Sequence, residues 1–330
     1  MKKIVFYSLF LFAFSQCKKD EKSLNKILQK NYEQHFISSG NNFPEISLYD
    51  NDRYKLLVGL HNGFKRNEIQ KKLKWSDKEL QIEIDLLKKN GYLTERKGSL
   101  FPSISIIMDN EGEELFKQTL KVAEEIAQSI IKIEDRIEKK YSEMEVSSES
   151  HYSSFKFFLF SNVLLDNWQI NNVEKDFLNK KRTLRHGKRY YIQLAEKDSL
   201  VKKEVFGIYG NQYTCQKSDC FITYGNNRVN NKKTFEELSS MDIPVLSKKD
   251  QSVLVKMAEI YKPILIDILK KNKSQFIEHY NNSVFKNELS FEEYFVWYYH
   301  FLYTKTTNIL SELKQIKIPE TGVFRVKLEK

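Results

Sequence analysis

Apolar positions recur at helical spacing in three short blocks near the start of the chain. Tyr54, Leu56, Leu57, Val58 and Leu60 form the first block, which stops at Asn62-Gly63, a helix-ending pair. Ile69 and Leu73, four apart, predict a second helix over 66–73. Ser76 with Glu79 three residues on is a capping box, and Leu80, Ile84 and Leu87 share one face of a third helix ending at Asn90-Gly91. Residues 92–97 then read as a strand, Gly98-Ser99 as a turn and 100–108 as a second strand. From 110 to 145, Phe116, Leu120, Ala123, Ala127, Ile130, Ile137, Tyr141 and Met144 follow a four-three spacing interrupted at Glu134. That heptad seam predicts one long helix, fitted either to a homodimer through 110–145 or to the chain's own helices.

Residues 145–150 (Glu-Val-Ser-Ser-Glu-Ser) break the pattern and read as a linker, dividing 50–109 and the long helix from a second unit over 151–330. There 155–168 is aromatic and helical, and 189–195 and 205–224 read as strands. Helices are predicted over 252–280, with Pro263 kinking or breaking the first, and over 291–316. The segment 322–328 alternates as an edge strand does. The fold class is α+β and helix-rich.

The first seventeen residues follow another pattern. Met1-Lys2-Lys3 precedes an apolar run from Ile4 to Phe14, ending in Ser15-Gln16-Cys17. A cationic head and a short apolar stretch are the layout of a secretory signal over 1–16, and the run is shorter than the roughly twenty residues a membrane span needs. Phe14-Ser15-Gln16-Cys17 resembles a bacterial lipobox, and Lys18-Lys19-Asp20-Glu21 resembles the export signal of Bacteroidetes-type lipoproteins. The resemblance implies cleavage before Cys17, acylation of that residue as a membrane anchor, a tether over 17–49 and a place in the cell envelope, at the outer membrane or surface. It implies no activity.

The helix, helix, helix, hairpin order of 54–108, with Ile69, Leu73, Ser76, Leu80, Ile84, Leu87, Gly91-Tyr92-Leu93 and Arg96-Lys97-Gly98, resembles the winged helix-turn-helix of the MarR and ArsR regulators. In those families the third helix reads the major groove. Here 76–87 carries Asp77, Glu79, Glu83 and Asp85 against Lys78 alone, a charge of −3 that phosphates repel. Lys65, Arg66, Lys71, Lys72 and Lys74, with Arg96-Lys97 at the wing, could touch only a nucleic-acid backbone.

Composition adds a core and a charge. With 41% hydrophobic residues, 11 Gly and 5 Pro the chain can bury a core and is not low-complexity. The net +10 concentrates in Lys180, Lys181, Arg182, Arg185, Lys188 and Arg189, six cations in ten residues, which read either as a solvated loop or as the contact for an anionic ligand or acidic protein face. Of three Cys, Cys215 and Cys220 remain if Cys17 is acylated. Flanking a hairpin turn, they suit a disulfide, with half a zinc site or two free thiols as alternatives. Tyr209-Gly210-Asn211, just after Gly207-Ile208, and Tyr224-Gly225-Asn226-Asn227 read as turns or a ligand rim, and His300, among eight aromatic residues, as a core or a catalytic histidine.

No nucleophile elbow, zinc-protease helix or phosphate loop occurs, and no cofactor or metal is expected. The reading is an anchored binding or assembly protein with the winged helix as interaction module. A cytosolic regulator, if the signal is unused, and an enzyme with a discontinuous site in 151–330 are the alternatives.

Overall fold

The computed structural model describes residues 21–197, 209–216, 219–226, 228 and 232–329. The signal, Cys17 and the export-signal lysines lie outside the described residues, as do Gly207, Ile208, Asn227 and the turn at 217–218. Helix α1 spans Glu21–Leu28 and strand β1 Tyr32–Ile37. Next come α2 (Arg53–His61), α3 (Arg66–Leu73), α4 (Asp77–Lys89), β2 (Leu93–Arg96), β3 (Ser99–Pro102) and β4 (Ser105–Ile107). Three helical pieces follow, α5 (Asp109–Gln118), α6 (Leu120–Lys132) and α7 (Glu134–Tyr141), then α8 (Tyr152–Phe157) and a π-helix over Phe158–Val163. After α9 (Ile170–Asn172), a second π-helix spans Val173–Leu178. The strands β5 (Leu184–Arg185), β6 (Lys188–Arg189), β7 (Tyr191–Glu196), β8 (Tyr209–Gln216) and β9 (Asp219–Asn226) come next. The described chain ends with α10 (Phe235–Ser239), β10 (Val245–Leu246), α11 (Lys248–Lys271), α12 (Lys273–Asn281), α13 (Phe291–Glu312) and β11 (Val323–Leu328). The fold is α+β with several small sheets.

Sheet β1-β7-β4 organises the molecule. β1 runs antiparallel to β7 from Tyr32↔Glu196 to Ile37↔Tyr191, and β4 runs parallel to it. Successive residues of a strand point to opposite faces. Tyr190, Ile192 and Leu194 enter a core with α1–α4, whereas Ala195 enters the core of the C-terminal helices. Strand β4 divides likewise, Ile106 to one side and Ile107 to the other. The sheet is thus a wall between two cores, built from strands far apart in sequence.

This arrangement corrects several expectations. From residue 21 the tether is folded: Leu24, Leu28, Tyr32 and Leu48 are buried, and β1 is a sheet strand. The linker at 145–150 is packed, with Val146 buried and the Glu145 N–H donating to Asp250 Oδ1 at 2.6 Å. It marks no domain boundary, because β7 completes a sheet begun before it.

The long helix breaks at Thr119 and at Ile133, beside the Glu134 that interrupts the heptad. Its stripe is buried within the chain, α6 packing on α13 and α11; only Leu120 stands out. The strand expected over 100–108 divides into β3 and β4, which join different sheets. Helix α11 continues through Pro263 and ends at Asn272, since a missing N–H alone does not end a helix held by buried residues on both sides. β11 lies inside its sheet, whose order is β10-β11-β9-β8, rather than at an edge.

Candidate functional site

The three helices and hairpin of 53–102 form where local chemistry directs them. In α4, Ser76 Oγ accepts from the Glu79 N–H at 3.2 Å, and the Ser76 N–H donates to Glu79 Oε2 at 2.7 Å. Helix α2 approaches α3 at Gly59, where a Cβ would lie 2.6 Å from Ile69 Cδ1. The β2–β3 turn places Lys97 at φ 52° and Gly98 at φ 74°, the left-handed pair of a tight hairpin.

The outer face of this unit holds the residues expected to meet a nucleic-acid backbone. Lys65, Arg66, Lys71, Lys74, Arg96 and Lys97 are exposed and Lys72 is half-buried. Not every acid of α4 belongs to that face. Glu83 is buried against Arg53 and accepts from Asn51 Nδ2 at 2.8 Å. Exposed on α4 are Asp77, Lys78, Glu79, Gln81, Ile82, Asp85 and Lys89, with Ile82 at 52%.

The basic cluster at 180–189 proves to be largely an internal ion-pair array. Lys180 meets Glu292 at 3.1 Å, Arg182 meets Glu174 at 2.7 Å and Lys188 meets Glu45 at 3.3 Å. Arg185, 1% exposed, bonds Glu293 Oε1 at 2.6 Å and the carbonyls of Ser103 and Tyr190. Burial raises the Glu293 carboxyl and the Arg185 charge opposes that rise. Only Lys181 and Arg189 of the six have no acidic partner among the described residues. The cluster therefore joins β5–β6 to the body more than it offers charge to a ligand.

Two further polar centres are buried. His61, on α2, donates from Nδ1 to Glu288 at 2.8 Å and from Nε2 to Glu111 at 3.0 Å. Burial alone would depress this imidazole, but the two carboxylates prevail and raise it to about 10, so it is a cation at neutral pH. Glu111 also accepts the Met108 N–H at the start of α5, so one triad ties α2 to α5 and to the segment before α13.

The second centre surrounds Asp166, whose carboxyl burial pushes up to about 8 against the pull of bonds from Tyr303 and Asn211. Asn211 Nδ2 donates to Asp166 Oδ2 at 3.0 Å and to Asn162 Oδ1 at 3.0 Å. Asn162 belongs to the first π-helix, an irregularity frequent at functional sites.

The Tyr-Gly-Asn units meet here as paired strands, Tyr209↔Asn226, Gly210↔Gly225 and Asn211↔Tyr224, and not as turns. Gly225, at φ 149°, is required because a Cβ would lie 2.2 Å from the Gly322 carbonyl oxygen. Tyr303 donates to the Tyr209 carbonyl at 2.6 Å, and His300 lies 5.0 Å from the Tyr303 ring. His300 Nδ1 donates to Val296 O at 2.8 Å, and burial lowers this histidine to about 4, leaving it neutral. These groups satisfy one another within the core, so the centre is a packed polar network rather than an open site.

Cys215 and Cys220 are joined in a disulfide across the β8–β9 register, Cα to Cα 4.0 Å. Among the described residues no group of three or more His, Cys, Asp or Glu could hold a metal, and no helix is long and apolar enough to cross a membrane. A groove of about 340 Å³ between α6 and α11, lined by Glu125, Ser129, Lys132 and Ile268 among others, gathers no catalytic set. No family model, curated protein or solved structure matches the chain.

Proposed function

We propose that the chain is a lipid-anchored protein of the bacterial cell envelope with a binding or assembly role, and that residues 53–102 form a winged helix serving as its interaction module. The anchor rests on the signal pattern and on Cys17. The observation that carries the binding role is the exposed face of α4, where Ile82 stands among Lys78, Glu79, Gln81, Asp85 and Lys89. An apolar centre ringed by both signs of charge suits a protein surface better than a polyanion.

Ile82→Asp combined with Lys78→Glu is expected to leave the melting transition in place and abolish co-migration with an envelope complex on native gels. Parent and variant migrating alike as free chains would reject the role.

A second reading, contact with a nucleic-acid backbone, is favoured by charge: residues 65–97 carry ten Lys and Arg against six Asp and Glu, and Glu83 among those six faces inward. Binding of the parent to duplex DNA tighter than about 1 µM at physiological salt, beyond the ordinary non-specific range, would favour that reading.

A further inference from the structure

The fold leaves little room between an anchor and the body. The chain is helical from Glu21, four residues after Cys17, and four extended residues span at most ~14 Å. A chain acylated at Cys17 would therefore hold its body against the bilayer, and some face of it must meet lipid.

One surface gathers large exposed apolar side chains. Phe36, on β1, is 45% exposed, Phe43 47% and Leu184 56%. The rings of Phe36 and Phe43 pack edge to face, their centroids 5.6 Å apart. The Arg189 N–H donates to Asn42 Oδ1 at 2.9 Å, which seats the loop carrying Phe43 on β6. Leu184 lies opposite Arg189 in the β5–β6 register, and residues opposite each other in an antiparallel pair project to the same face. Arg185, the next residue, turns inward to Glu293, so Leu184 turns out.

Arg189, opposite Leu184, and Lys181, three residues before Leu184 in the chain, are the two cations of their cluster with no acidic partner among the described residues, and both are exposed. The nearby acid, Glu45, is paired with His186 and Lys188. Aromatic rings favour the boundary between headgroups and acyl chains, and Lys and Arg beside them attract lipid phosphates.

We propose that Phe36, Phe43 and Leu184, rimmed by Arg189 and Lys181, form a membrane-facing surface that seats the body on an anionic bilayer. The proposal rests on the lipid-anchor reading for its setting, and the surface can be tested apart from the anchor.

The mature chain carrying Cys17→Ser, which removes acylation, is floated with vesicles containing phosphatidylglycerol. Salt-sensitive binding is expected, about tenfold weaker in the Phe36→Ser, Phe43→Ser, Leu184→Ser variant. Arg189→Glu with Lys181→Glu should flatten the salt dependence. If the triple variant does not fold, Phe36→Trp reports instead, through blue-shifted emission and quenching by brominated lipid. Absence of vesicle binding by the parent, equal binding by the triple variant, or unchanged emission would overturn the surface. Retention on polyglutamate without vesicle binding would assign it to an acidic protein and equally overturn it. Fatty-acid labelling of Cys17 in cells reads the anchor separately: vesicle binding without labelling removes the anchor and leaves the surface.

Discussion

Arg185 carries a guanidinium that is fully enclosed by Glu293 and the carbonyls of Ser103 and Tyr190. Removing one partner of a buried pair leaves the other charge uncompensated, so Arg185→Ala is expected to cost about 3–5 kcal/mol in urea unfolding. Arg185→Lys should recover little of that loss, because an ammonium cannot reproduce the planar fork. A loss no larger than that of Lys181→Ala would show that the pair is not structural.

His61 adds a pH-dependent contribution. Its folded-state value, about 10, lies above the 6.5 of the free imidazole. The stabilisation is therefore complete below about pH 6.5 and lost as pH rises through about 10. The stability difference between parent and His61→Gln should shrink steadily across that window. A difference constant from about pH 6 to about pH 10 would mean that His61 is neutral in the fold.

At the scale of elements, the approach of α2 to α3 depends on Gly59. Gly59→Ala puts a methyl group onto Ile69 and should cost about 1–3 kcal/mol by overpacking. Ile69→Ala removes both the Cδ1 and the Cγ1 that the new methyl meets, so the double variant should be more stable than the sum of the two single losses; strict additivity in denaturant melts would separate the sites.

These same elements were legible in the sequence because their signals are local. The Ser76 box, the four-residue spacing of Ile69 and Leu73, and the hairpin turn, read at Gly98-Ser99 and formed one residue earlier at Lys97-Gly98, each lie within one turn of chain. Strand β1 was not legible. Its partner β7 is about 160 residues away, and the neighbouring Ser38-Ser39-Gly40 reads as a flexible patch. The acids that neutralise the 180–189 cluster, Glu45, Glu174, Glu292 and Glu293, are likewise scattered, so a charge count over ten residues misses them. The Asp166 centre was half legible. Its Tyr-Gly-Asn units stand out, but only the β8–β9 register and the π-helix bring Asn211 and Asn162 to the carboxyl.

For the whole molecule, the wall of β1, β7 and β4 joins two cores, and the His61 triad and the Arg185 pair fasten the joint from opposite sides of the sequence. The three-helix unit is consequently not a head on a flexible stalk. It is held in fixed relation to the C-terminal helices, with its α3–α4 face outward.

Acylation at Cys17 separates an envelope binding protein from a cytosolic regulator, because it fixes the compartment. Metabolic labelling of cells with an alkyne-tagged palmitate, comparing the parent with Cys17→Ala, tests it most directly. Label is expected on a processed, membrane-fractionating parent and none on the variant. An unlabelled, full-length parent in the cytosol would contradict it.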